Sequence, residues 1–258
     1  MEMTAGGVTI HYELAGSGDK RVVLLHGWGC STSLMKPVAD FLSRDMTVLS
    51  IDFPAHGQSG RPPKPWGVPD FAACTLELLK KLDFLPCSVI AHSFGGRITI
   101  ELASQDATLF ERIILTGSAG IKDRPSEESR KRSAKYRRLK GLCEKAKAAK
   151  AFGKLPDMLE EKLRQKYGSK DYNALDAEMR KTFVLVVNHD QTDLLQRIQQ
   201  PTLLLWGDKD TETPLWMGQL MEERIPDAGL VVFEGGTHFA YLEQLGRFNA
   251  IAHNFLME

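Results

Sequence analysis

The sequence carries no excess of charge of either sign, few cysteines and no long apolar run, and each absence excludes something. Its 258 residues hold 33 basic and 33 acidic side chains, so the chain as a whole makes no electrostatic case for nucleic acid or an anionic membrane as main partner. The four cysteines, Cys30, Cys74, Cys87 and Cys143, include no CxxC pair. That removes the ligand spacing of a zinc site and the density of a disulfide framework, and reduced, mostly buried thiols are expected. No apolar run reaches the roughly 18 residues that a membrane span needs. The opening MEMTAGGVTIHYEL lacks the order of basic, apolar and small residues that marks a secretory signal, so a soluble, cytoplasmic protein is expected.

What is there is the composition of a globular domain, 43% apolar and 26% charged, with length for one large α/β domain or two small ones. Short apolar runs at Val22 to Leu25, Val48 to Ile51, Ser88 to Ala91, Arg112 to Leu115, Thr202 to Trp206 and Leu230 to Phe233 read as strands buried on both faces. Stretches of helical period lie between or after them, at Phe71 to Leu82, Arg97 to Ser104, Leu215 to Arg224 and Tyr241 to Leu256. This alternation predicts a mostly parallel sheet covered by helices.

One segment breaks the rhythm. From about residue 121 to 188 the composition is helix-forming, with turn breaks at Gly153, Pro156 and Gly168 and one ambiguous run, Phe183 to Val187. It is too long for a loop inside a compact domain, so it reads as a helical insertion between a core of 1–120 and 189–258. Residues 121–170 hold 17 Lys or Arg against 7 Asp or Glu, a net of +10. The zero total therefore hides a dipolar chain. Arg130, Lys131, Arg132, Lys135, Arg137 and Arg138 are either a solvated helix face or a surface that attracts an anionic substrate or an acidic carrier protein.

The chemistry concentrates in three places. Ala91-His92-Ser93-Phe94-Gly95-Gly96 follows a strand and opens a helix, with the small residues a strained strand-to-helix turn requires on either side of its serine. His26-Gly27-Trp28-Gly29 follows another strand, and its glycines let backbone approach a developing oxyanion. The natural donors to that oxyanion are the amides of Trp28 and Phe94. A serine hydroxyl needs a base, and the base needs an anion to orient it. His238, in the glycine-rich Gly235-Gly236-Thr237-His238, can reach the sheet's edge, and either Asp208 or Asp210 of WGDKDTETP can orient an imidazole. The other six histidines read as structural. Arg97, one turn after Ser93, could meet a carboxylate near the site, an ion pair within the fold being the simpler reading. Trp28, Met35, Phe94, Phe183 and Phe239, with His26 and Gly27, are candidates for the pocket lining.

These segments resemble the motifs of the α/β-hydrolases, of the single-lid carboxylesterase type. LLHGWG resembles the oxyanion strand, DFPAHGQS at Asp52 to Ser59 the next turn, AHSFGG the nucleophile elbow, and LLLWGDKDTETP with GGTHFAYLE the acid and base loops. The order Ser, Asp, His along the chain is also theirs. Ala91 and Ala55 stand where the family usually has glycine. The resemblance implies an α/β-hydrolase fold with a helical lid between the sixth and seventh strands, and it selects Asp210 as the acid, with Asp208 the alternative. It implies acyl transfer by Ser93, Asp210 and His238 on a small-molecule ester, with no metal or organic cofactor. Carbon–carbon bond hydrolysis, acyl-carrier ester hydrolysis and a slow-turnover sensor are the alternatives on the same residues.

Overall fold

The computed structural model describes residues 1–122, 127–149, 155–167 and 169–258. In chain order the elements are β1 (Glu2–Ala5), β2 (Val8–Ala15), β3 (Arg21–Leu25), α1 (Thr32–Leu42), β4 (Thr47–Ile51), α2 (Val68–Lys81), β5 (Cys87–His92), α3 (Phe94–Ala103) and β6 (Phe110–Thr116). There follow α4 (Glu127–Ala148), α5 (Leu155–Tyr167), α6 (Lys170–Ala174), α7 (Ala177–Asn188), a 3-10 turn (Thr192–Arg197), β7 (Thr202–Gly207), α8 (Leu215–Arg224), β8 (Ala228–Phe233), α9 (Ala240–Glu243) and α10 (Leu245–Met257). The six expected strands are β3 to β8. The ambiguous run Phe183 to Val187 is helical, inside α7, and the expected final helix divides at Gln244 into α9 and α10. Pro156 sits in the first turn of α5, where proline is tolerated. The breaks expected at Gly153 and Gly168 lie outside the described residues.

The eight strands form one sheet in the order β1-β2-β4-β3-β5-β6-β7-β8. The pairs β1 with β2 and β2 with β4 are antiparallel, and all others are parallel. From β3 the chain winds outward through α1 to β4. From β5 it winds the other way through α3 to β6. The carboxyl ends of β3 and β5 therefore flank the point where the winding direction reverses, and there the diverging loops leave a crevice.

Side-chain alternation explains the strands' apolar runs. Val23, Leu25, Val89, Ala91, Ile113, Leu115, Leu204 and Trp206 enter one buried cluster with residues of α2, α3 and α8. Val22, Leu24, Ile90, Ile114 and Leu205 enter a second with residues of α1 and α10. Both faces of β3 to β7 are covered, so these strands need no polar side.

The chain divides into two compact units, 1–122 with 185–258, and 123–184. The sheet and its covering helices form the first. In the second, α4 and α5 run antiparallel, because Lys147 near the end of α4 pairs with Asp157 and Glu160 at the start of α5, while Arg132 Nη2 donates to the Lys166 carbonyl at 3.0 Å. No helix among the described residues is long and apolar enough to cross a membrane.

Candidate active site

β5 ends on His92, and Ser93 turns the chain into α3 with φ 49° and ψ −106°. Such a conformation costs a non-glycine residue about 1–3 kcal/mol and persists only where its surroundings enforce it. The enforcement is visible. Ser93 N donates to the Thr116 carbonyl at 3.2 Å, and the Ser93 carbonyl accepts from Gly96 N and Ala119 N, each at 3.0 Å. A Cβ on Gly95 would stand 2.4 Å from the Leu25 carbonyl oxygen, so this position admits only glycine. Ala91 sits in the strand, paired with Leu25 and Leu115, where a methyl is accommodated.

The glycine-rich turn after β3 closes on the same place. A Cβ on Gly27 would lie 2.8 Å from His92 Nδ1 and 3.3 Å from Ser93 Cβ. Phe94 is 2% exposed, its ring packed on Trp28, Phe53 and Phe71 at 5.0–5.2 Å between centroids. Its side chain is core, while its amide, at the first position of α3, has no intrahelical acceptor.

β7 and β8 deliver the other partners. Asp210 Oδ2 lies 2.8 Å from His238 Nδ1, and because a carboxylate only accepts, Nδ1 carries the proton and Nε2 is left as the acceptor. Asp210 Oδ1 accepts from the amides of Glu212 and Thr213, each at 2.9 Å. Burial acts to raise the Asp210 carboxyl pKa, but the hydrogen bond and charge of His238 and the bonds from Thr213 outweigh it, and the net shift is downward. Asp208 is turned elsewhere: its Oδ1 accepts from Gly235 N at 2.7 Å. Thus the two aspartates divide the work, one facing His238 and the other holding the loop that carries it. Gly117, one residue past the Thr116 carbonyl that Ser93 N meets, is in the left-handed region at φ 48°, and a Cβ there would lie 3.2 Å from both Asp210 Oδ2 and His238 Nδ1. The Ser93 turn and the His238–Asp210 pair therefore flank one tight backbone step.

Two pocket expectations need correction. His26 is fully buried with both ring nitrogens engaged: Nδ1 donates to the Gly27 carbonyl at 2.7 Å, and Nε2 accepts from Phe53 N at 3.0 Å. Burial, then the neighbouring His56, lowers its pKa to about 3, so it is a neutral brace for the turn. Met35 is also without exposed surface, inside the cluster under α1 and α10, and fills core. Phe239, by contrast, is 37% exposed, with its ring 5.5 Å from that of His238. Phe183 belongs to the helical unit, 6.2 Å from the Tyr172 ring. Among the described residues Arg97 makes no ion pair and donates to the His189 carbonyl, and burial, opposed by Asp190, lowers its pKa to about 10. His11, His189 and His253 pair with Asp52, Glu101 and Asp45.

Sequence reasoning missed Thr213. Its hydroxyl lies 2.8 Å from Asp210 Oδ2 and 3.0 Å from the Gly117 carbonyl, so it fixes the carboxylate against the Ser93 side of the site. The signal was local, a threonine three residues after an aspartate in a turn before a helix, the spacing at which side chain and backbone bond reciprocally. Among the described residues no three His, Cys, Asp or Glu side chains gather as a metal site.

Comparison with known proteins agrees with this architecture. A pimeloyl-[acyl-carrier protein] methyl ester esterase of Neisseria meningitidis is 27% identical over 253 residues, covering 92% of this chain and 77% of its own. The solved structure of an enol-lactonase from Burkholderia xenovorans superposes with a TM-score of 0.76 at 22% identity, covering both chains fully. An esterase from Exiguobacterium antarcticum gives the same score and identity over 100% of this chain and 99% of its own. The model of the alpha/beta hydrolase family matches residues 22–251, and the chain belongs to that family.

Proposed function

We propose that this hydrolase cleaves carboxylic esters through an acyl-enzyme on Ser93. The observation that carries the reading is the meeting, at the carboxyl ends of β5 to β8, of a strained serine turn with a hydrogen-bonded His238–Asp210 pair. His238 Nε2 takes the hydroxyl proton as Ser93 Oγ attacks the carbonyl carbon, and the same proton leaves with the alcohol when the tetrahedral intermediate collapses. Water then repeats the sequence on the acyl-enzyme and releases the acid. The Trp28 and Phe94 amides hold the oxyanion, aided by the positive end of α3. Asp210 keeps the imidazole in its tautomer and offsets the imidazolium charge. A base imidazole works only unprotonated, so turnover requires the neutral form of His238.

An ester borne by an acyl-carrier protein is the second reading, favoured by the neisserial relative's name and by the net +10 of residues 121–170. On this view the basic insertion, in the lid role expected for it, selects substrates by charge. A series of p-nitrophenyl esters of rising acyl length tests the first reading: many-turnover hydrolysis, lost in Ser93→Ala, is expected, and a Ser93→Ala variant of full activity would sink it. Comparing a neutral with a carboxylate-bearing ester at low and high salt tests the second, since steering by the insertion weakens only the anionic ester's kcat/KM as salt rises. Equal salt dependence contradicts it.

A further inference from the structure

His92, the last residue of β5, stands one residue before Ser93, and strand alternation sends its side chain to the face opposite that of Ala91. There it is 1% exposed, with its ring 4.7 Å from that of His238, 4.9 Å from Tyr241 and 5.2 Å from Phe239. Its Nε2 lies 3.0 Å from the backbone carbonyl oxygen of His238. A carbonyl only accepts, so Nε2 carries the proton and donates, and Nδ1 is an acceptor. Among the described residues that Nδ1, which is buried, has no hydrogen-bond partner. Protonating it would place a second N–H where none of those residues accepts it. In keeping with this, burial first and the neighbouring His238 second lower the His92 pKa to about 3, so the donor is a neutral imidazole across the working range.

The loop that carries His238 is glycine-rich and has its own backbone freedom, with Gly235 at φ 73°. Gly235 N bonds Asp208, and the Gly236 carbonyl accepts from Lys209 N at 2.9 Å. Both bonds tie the loop to the segment after β7. Among the described residues, the His92 bond is the one hydrogen bond tying it to β5, the strand that ends at the serine. Ser93 and His238 are 145 residues apart in sequence, yet through His92 one side chain sets their backbones relative to each other.

We infer that His92 is a positioning residue: its Nε2–H, donated to the His238 carbonyl, locks the backbone of the base to the strand of the nucleophile and so fixes the distance across which the proton moves. The inference rests on the reading of Ser93 and His238 as nucleophile and base. It differs from a packing role, which a ring of similar shape would fill equally well. His92→Phe keeps a ring and drops the donor, whereas His92→Gln keeps an N–H of similar reach. His92→Met, which also lacks a donor, serves if the phenylalanine variant does not fold.

Three quantities decide: kcat and KM on p-nitrophenyl butyrate, the rate of fluorophosphonate labelling, and the urea midpoint. A displacement of about 1 Å between reacting groups costs on the order of 100-fold. In His92→Phe, kcat and the labelling rate should fall together by about 10- to 100-fold, with KM and the urea midpoint close to wild type, and His92→Gln should recover most of the loss. Wild-type kcat and labelling in His92→Phe overturns the proposal, as does a loss in both variants that follows a lowered urea midpoint. Wild-type protein that hydrolyses the ester yet resists the fluorophosphonate overturns the reading of Ser93 itself, and the role of His92 with it.

Discussion

In the unit formed by 1–122 and 185–258, strands bury apolar side chains on both faces, and backbone packs on backbone so closely that Gly95 cannot carry a Cβ. In the described part of 123–184 only Cys143, Pro156, Met179 and Thr182 are buried. Its two long helices are joined instead by pairs such as Lys147 with Asp157 and Glu160 and by rings such as Tyr136 and Tyr167 at 5.7 Å. The difference is one of tolerance. Close packing makes single atoms decisive, while exposed ion pairs are weak and replaceable. A hydrolase assembled this way has a site that cannot drift and an insertion whose charge can change at little cost to folding.

Substitutions break the comparison most sharply. Gly95→Ala, whose Cβ would meet the Leu25 carbonyl at 2.4 Å, should destabilise the fold by about 3 kcal/mol and abolish ester hydrolysis. Lys147→Ala should leave the urea midpoint nearly unchanged despite deleting two ion pairs. Similar midpoints for the two variants would remove the contrast.

Acid comes next in size. All seven histidines lie outside 123–184, and His26 and His92 have folded pKa values lowered from 6.5 to about 3. The unfolded chain therefore takes up protons at these two sites as pH falls through about 6.5, whereas the folded chain refuses them until about 3. Stability is fully present above 6.5 and is lost progressively between those limits. The lowered Asp210 carboxyl adds its own loss only below the ordinary carboxylate range. Urea midpoints measured from pH 7 to 4 should fall, and less steeply in His92→Phe. An unchanged slope in that variant would show that the ring titrates normally in the fold.

A smaller effect concerns Ala55, which holds φ 65° in the turn that wraps Asp52. Its amide donates to the Gly60 carbonyl at 2.8 Å, and Asp52 is pinned by Thr32 N, Gln58 N and His11. A left-handed alanine costs roughly 1 kcal/mol, partly offset because glycine frees the unfolded chain, so Ala55→Gly should raise the thermal midpoint slightly. The smallest test is chemical. Burial raises the Cys74 and Cys87 thiols to about 12 and Cys143 is buried, so a thiol reagent on the native protein should modify Cys30 before the others.

Much of this was legible because the constraints are local. Short apolar runs located β3 to β8, and the small residues around Ser93 marked its turn. The choice between Asp208 and Asp210 was not legible from spacing, since both lie in one loop and only their partners, Gly235 N and His238, separate them. Met35 and His26 resembled pocket residues by position in sequence, but burial against α10 and two backbone bonds made them structure. Nor was the bond from His92 to His238 readable, because it joins residues 146 apart. The helical insertion was recognisable by composition alone, for a helix that buries little leaves a weak apolar period.

The central claim is that Ser93 is acylated during turnover. The most direct measurement is intact-mass and peptide mass spectrometry of the protein quenched in acid during hydrolysis of p-nitrophenyl butyrate. The account predicts a butyryl adduct on the peptide containing Ser93, accumulating in His238→Ala if deacylation slows more than acylation, and absent from Ser93→Ala. An adduct on another residue, or undiminished turnover in Ser93→Ala with no adduct, would contradict it.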